Sequence, residues 1–278
     1  MSRTPPGHRR FPKESERTDR PVRHHQESST GRSSSLLKVA GLSAVRSLFQ
    51  HAPDRVVRLF YEDRQTRQVG DFCARMAQFR RPYRRVDADE LTKIAGTVLH
   101  GGVVAVAEPQ PEHRLTAPEC RRLLGAGSSL FVLDGIGNPH NVGAIARSLA
   151  FFGFGHLVLS DHPQQAGLSD AAYRIAEGGL DCMKIYRATN LLALLRELKG
   201  HGRIVGTALS RQGQTLEALQ LHRDPGLILL GNEEQGLDRA TLNQCDEFLT
   251  LPGSGAIQSL NVAATAAIIA HALRSRSA

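Results

Sequence analysis

From residue 129 onward, short apolar runs alternate with longer segments of helical period. The runs are 130–133, 156–159, 183–186, 203–208, 227–230 and 248–251. Helical spacing covers about 142–152, 169–176, 190–199, 238–244 and 259–273. Near-continuous apolar runs read as strands, and helices between them act as crossovers. The predicted fold is therefore α/β, with a mostly parallel sheet flanked by helices over 129–278. Residues 36–108 carry a second, smaller α/β pattern. Helical spacing appears within 37–50 at Val45, Leu48 and Phe49, 56–62 reads as a strand, 69–79 as a helix and 83–86 as a short strand. The segment 87–96 opens with Asp87 followed three residues on by Glu90, a helix-capping signature, and 101–108 is a further strand. Closely spaced prolines and a terminal Gly-Ala-Gly mark 109–128 as a linker with a short helix inside it.

Composition adds partners and removes others. The 278 residues suit one large domain or two smaller ones. A formal charge of +8 favours a polyanion, RNA or DNA before an anionic membrane. Half of that excess lies in 1–35, where eight basic residues oppose four acidic ones and large apolar side chains are almost missing. Such a segment cannot bury enough apolar surface to fold and reads as a disordered basic tail. It is either an electrostatic arm for RNA or a solvated tail without a role. The four cysteines, Cys73, Cys120, Cys182 and Cys245, are widely spaced and form no C-x-x-C pair, so neither zinc nor a disulfide framework is indicated, and no cluster suggests any other metal. No apolar run reaches membrane-spanning length and no signal core opens the chain, so a cytoplasmic protein without a membrane partner is expected. No G-x-G-x-x-G follows the first strand of the larger domain and no G-x-x-x-x-G-K-[ST] is present, which argues against an ordinary dinucleotide site and a P-loop.

Three loops of small and polar residues follow apolar runs in this domain, where α/β proteins place ligand sites. They read NPHNVGAIAR (138–147), GNEEQGL (231–237) and PGSGAIQSLNV (252–262). In order and spacing they resemble the three motifs of the SpoU (TrmH-type) RNA ribose 2'-O-methyltransferases. The resemblance covers about 36–278. It implies S-adenosylmethionine as cofactor, methyl transfer to a ribose 2'-hydroxyl of rRNA or tRNA, a deep C-terminal trefoil knot, and a homodimer formed through the knotted domains. It also implies that 36–108 is an RNA-selecting domain similar to kink-turn-binding ribosomal proteins, whose closing segment ELTKIAGTVLHGGVVA (90–105) resembles.

The resemblance assigns residues. Arg147, in an otherwise apolar helix, matches the arginine that contacts the target phosphate. A guanidinium is too weak an acid to serve readily as a base, so positioning of the phosphate is the simpler role. Asn141 either fixes the ribose or Arg147, or caps the helix that follows; Asn138 beside Pro139 suits a turn. Glu233 is expected to pair with Arg147 and aim it. Ser259 and Asn261 open the last helix, with Ser259 as its cap, and reach toward the ribose or Arg147. Leu230, Gly231, Leu251 and Leu260 match positions whose backbone holds the cofactor, and Gly255, with Gly253, permits the tight loop around its adenine. Glu234 stands where the family usually has glycine, which puts the backbone shape of that loop at issue. It keeps open an alternative: an RNA-binding protein of the same fold with little or no methyl transfer. In the smaller domain, FRRPYRR (79–85) places Arg80, Arg81, Arg84 and Arg85 around Tyr83. The guanidinium groups suit phosphates and the ring suits an unpaired base, while the alternative is a charged turn.

Overall fold

The computed structural model describes Met1 and residues 36–208, 213–219 and 226–274. Apart from Met1, the basic tail 1–35 lies outside the described residues.

The smaller domain runs β1 (Leu37–Ala40), α1 (Leu42–His51), β2 (Val56–Tyr61), α2 (Gly70–Gln78), β3 (Tyr83–Arg85), α3 (Ala88–Ala95) and β4 (Val103–Ala107). Its sheet has the order β1-β4-β2-β3, with β4 antiparallel to both β1 and β2 and β3 parallel to β2. Asp87 caps α3 by accepting from the Glu90 amide, as its capping signature predicts, and Gly96 closes the helix at φ 69°. The helical spacing within 37–50 belongs only to its later part. Residues 37–40 form a strand, because Gly41 at φ 98° breaks the chain direction and β4 offers a free edge to Leu37 and Val39. Leu37, Val39, Val45, Leu48 and Phe49 then bury together.

The larger domain runs β5 (Glu112–Arg114), α4 (Ala117–Gly125), β6 (Leu130–Asp134), α5 (Pro139–Phe151), β7 (His156–Leu159), α6 (Asp170–Ala176), β8 (Lys184–Arg187), α7 (Leu191–Leu198), β9 (Arg203–Thr207), α8 (Leu216–Leu219), β10 (Gly226–Gly231), α9 (Arg239–Leu242), β11 (Glu247–Leu249) and α10 (Val262–Arg274). The seven strands are ordered β11-β9-β10-β6-β7-β8-β5, and every pairing is parallel. Both β6 and β10 are buried at every residue, which explains their unbroken apolar runs. Phe131 and Leu133 face the core that holds α5, α10 and the smaller domain's apolar side chains; Leu130 and Val132 face α4 and α7. The stretch expected as a linker supplies an edge strand, β5, paired with β8. Its three residues are polar and exposed, so no apolar period announces it.

The topology locates the site. From β6 the chain lays β7 and β8 to one side, then returns to place β10 on the other side of β6. Gly231 at the end of β10 pairs in register with Asp134 at the end of β6. The loops 135–138 and 231–237 therefore leave the sheet side by side at its switch point, where open α/β sheets take ligands. Helix α10 packs on α5 through buried Ala263, Ala266 and Ala270, small residues that bring its start, and the 252–261 loop before it, to the same end.

Candidate active site

A polar chain joins the three sequence motifs. Glu233, just past β10, accepts from the amides of Gly137 (3.3 Å) and Asn138 (3.4 Å) and from Asn141 Nδ2 (2.8 Å). Asn141 Oδ1 accepts in turn from Asn261 Nδ2 (3.2 Å). Asn261 Oδ1 accepts from the amides of Ala263 (2.8 Å) and Ala264 (3.4 Å), capping α10. Each amide side chain is used as donor and acceptor at once, so the orientation of one fixes the next. Asn138 is the cap of α5, accepting from the His140 amide at 2.9 Å, with Pro139 in the first turn. Asn141 is thereby released from capping. Helix α10 begins at Val262, three residues later than its period suggests, and Asn261 rather than Ser259 caps it.

The loop after β10 closes on itself. Asn232 and Gly236 exchange backbone hydrogen bonds of 2.9 Å, and Asn232 Oδ1 accepts from the amides of Glu234 and Gln235. A Cβ on Gly231 would stand 2.3 Å from the Gly236 carbonyl carbon, so only glycine permits this approach. Asn232 Nδ2 donates to Gly135 O (2.8 Å), tying the loop to the one after β6. Glu234 is exposed and is not among the residues with positive φ. The conformation at this position is therefore not one that calls for glycine.

Arg147 lies on α5 with its side chain 56% exposed, and its Nη1 is 2.8 Å from Glu177 Oε1. The expected partner, Glu233, is engaged by α5's entry loop instead, so the pairing of Glu233 with Arg147 is corrected to one with Glu177. Glu177 ends α6, and α5 and α6 approach with backbone contact: a Cβ on Gly143 would meet Ala172 O at 2.4 Å. Sequence reading could not find Glu177, because it belongs to no motif and reaches Arg147 only through this packing.

Among the described residues no backbone–backbone hydrogen bond involves 251–260, and all of 252–260 is exposed. Leu251 is half-buried, Leu260 is 47% exposed, and Gly255 holds φ 83°. Beside Gly231 and Leu230, which end β10, lies an exposed stretch of backbone in which the Ala256 amide donates to Ser254 Oγ at 3.3 Å. Such a surface fits a ligand read by its edges, as the adenine and carboxylate of S-adenosylmethionine are, without calling on side-chain charge. Among the described residues no group of three His, Cys, Asp or Glu side chains is placed to hold a metal ion.

The basic cluster of the smaller domain divides. Arg81 Nη1 donates to the carbonyls of Pro53 (3.2 Å), Asp54 (2.8 Å) and Val56 (2.5 Å), a structural task. Arg84 pairs with Glu90, and Arg85 with Asp63 at 2.7 Å. Arg80, at φ 53°, and Tyr83, 43% exposed, remain turned to solvent.

A parallel α/β sheet with backbone-lined loops at its switch point defines a protein that takes a small ligand outside the carboxyl ends of its strands. Comparison narrows the class. Residues 128–271 match the SpoU rRNA Methylase family, and residues 38–113 match the RNA 2'-O ribose methyltransferase substrate binding family. The 23S rRNA (guanosine-2'-O-)-methyltransferase RlmB of Nitrosomonas europaea is 33% identical, over 83% of this chain and 88% of that protein. RlmB of Acinetobacter baylyi is 31% identical, over 81% of this chain and 92% of that one. Among solved structures, the AdoMet-bound rRNA methyltransferase of Sinorhizobium meliloti aligns with a TM-score of 0.69 at 20% identity, covering 87% of each chain. The chain belongs to the SpoU rRNA methylase family, the S-adenosylmethionine-dependent RNA ribose 2'-O-methyltransferases.

Proposed function

We propose that the protein methylates the ribose 2'-hydroxyl of a guanosine in 23S rRNA. The observation that carries the reading is the chain Glu233–Asn141–Asn261, which unites three segments distant in sequence at one end of the sheet. The identity to RlmB proteins over most of their length favours large-subunit rRNA over tRNA.

When bound, S-adenosylmethionine supplies a methyl on a positively charged sulfur. The protein's part is then to hold the ribose in line and to accommodate the hydroxyl proton as the oxygen attacks. Arg147 engages the phosphate beside the target ribose through the donors that Glu177 leaves free. Asn141 and Asn261, their amides set by Glu233 and the α10 amides, receive the ribose together with Ser259. Peptide groups of Leu230, Gly231, Leu251, Gly255 and Leu260 hold the cofactor. Arg80 and Tyr83 reach RNA from the smaller domain, with Arg84 and Arg85 adding charge and Arg81 shaping the turn that presents them. Residues 36–108 act as the RNA-selecting domain and 129–278 as the methyltransferase domain, with 109–128 between them.

Two exposed apolar side chains support a homodimer: Phe151 on α5 (83% exposed) and Ile268 on α10 (42%), on helices that pack together. The return of the chain to insert β10 beside β6 supports a deep trefoil knot around the cofactor loops. The protein works in the cytoplasm, where its RNA is; no described helix is long and apolar enough to cross a membrane. The test is calorimetry with S-adenosylmethionine, followed by nucleoside analysis of ribosomal RNA from a strain deleted for the gene. Binding near micromolar, about −8 kcal/mol, and one missing 2'-O-methylguanosine support the reading. A folded protein that binds RNA, fails to bind the cofactor even with RNA present and leaves ribose methylation unchanged favours the non-catalytic alternative.

A further inference from the structure

The short loop between α6 and β8 carries a role that none of the three motifs contains. Glu177 ends α6 in the left-handed region at φ 45° and ψ 40°, which L side chains rarely adopt. Strain retained in a folded protein points to a task at that position. Its carboxylate is the partner of Arg147, at 2.8 Å. The Arg147 side chain is 56% exposed, so its guanidinium stands open to solvent where a phosphate can reach it.

The backbone of this loop is held from two sides. A Cβ on Gly178 would lie 2.3 Å from the Ser47 side chain on α1, and Ser47 Oγ donates to Gly178 O at 2.9 Å. A Cβ on the next residue, Gly179, would lie 2.8 Å from Arg147 Cα. Two consecutive glycines thus let the chain pass between a helix of the smaller domain and the backbone of α5 at Arg147 itself. Two residues further on, Asp181 is buried and paired with Arg55 of the smaller domain at 2.7 Å.

We propose that Glu177 is a positioning residue for Arg147. It aims the guanidinium at the RNA phosphate, from a strap whose other face is clamped by the domain that selects the RNA. The proposal rests on the reading of Arg147 as the arginine that meets that phosphate. Docking of the smaller domain and the aim of Arg147 are then set by the same five residues, 177–181.

The experiment compares Glu177→Gly, Glu177→Gln and Arg147→Ala in the full chain, by thermal melting, cofactor affinity and steady-state methyl transfer to ribosomal RNA. Glycine accepts the left-handed backbone without strain, so Glu177→Gly melts at or above the wild-type temperature. Its kcat falls about fivefold with cofactor affinity unchanged, the size expected of one partly exposed charge-assisted contact. Glu177→Gln keeps a polar oxygen at the same reach from Arg147 and recovers to within about twofold. A purely structural Glu177 would not yield an equally stable, slower enzyme that glutamine rescues. Full kcat in Glu177→Gly beside an inactive Arg147→Ala overturns the proposal. Full activity in Arg147→Ala overturns the reading of Arg147 beneath it.

Discussion

Arg55 and Arg147 each pair with an acid at opposite ends of one five-residue loop, and the two pairs do different work. Arg55 and Asp181 are sealed, with side chains 11% and 0% exposed; Arg147 and Glu177 stand 56% and 48% exposed. Arg55 spends its whole fork inside the protein, donating also to Glu108 O, Gln110 Oε1 and Tyr173 Oη. Arg147 meets its acid through Nη1 at 2.8 Å on an exposed face. A buried charge without its partner is costly, whereas a solvated pair is worth little and can exchange partners. The sealed pair belongs to the junction between domains and the open one faces solvent.

The largest expected effect breaks the sealed pair. Arg55→Met leaves Asp181 buried against no cation and removes about 3 kcal/mol or more of stability. That lowers the melting temperature by roughly 6–12 °C for a unit of this size. A shift under about 2 °C would mean that the apolar core shared by the two domains holds the junction without Arg55. Next in size is the chain of motif residues. Asn261→Ala removes both the α10 cap and Asn141's donor, costing about 1 kcal/mol of stability and about tenfold in methyl transfer. Equal losses of rate and stability would assign Asn261 to the helix alone.

Much of this was legible before the structure, and the failures have physical causes. The strands of the larger domain match their apolar runs within a residue or two, because a doubly covered parallel strand has no polar face to blur the signal. The strand 37–40 was hidden by the helical period that follows Gly41, and β5 by its wholly polar side chains. In the site, the motifs led to Asn141, Glu233 and Asn261, which the structure brings into contact, and to Arg147. They did not lead to Glu177, Asp181 or Arg55. Those are matched across long sequence separations by packing, and a charged residue in an unremarkable stretch carries no period to follow. The expectation that Glu233 aims Arg147 failed for a related reason: Glu233 satisfies the two amides entering α5, which linear spacing does not display.

Smaller still is the pH signature of the sealed pair. Burial raises the Asp181 carboxyl above its ordinary value of 3.8, outweighing the opposing pull of Arg55. A raised folded-state value means that its contribution to stability is full below the ordinary value and is lost as pH rises through the folded one. Asp181→Asn should therefore flatten the fall in melting temperature on going from acid toward neutral pH. A slope in Asp181→Asn equal to that of the wild type would contradict a buried carboxyl at that end of the loop.

The most direct measurement is the rate of methyl transfer to unmodified 23S rRNA by Arg147→Ala beside the wild type, at saturating S-adenosylmethionine, with the product identified by nucleoside mass spectrometry. The account predicts 2'-O-methylguanosine from the wild type and a loss of about 100-fold or more in the variant, with stability within about 1 kcal/mol and cofactor affinity within a few fold. A variant that methylates ribose at the wild-type rate would contradict it, as would a wild type that methylates only a base.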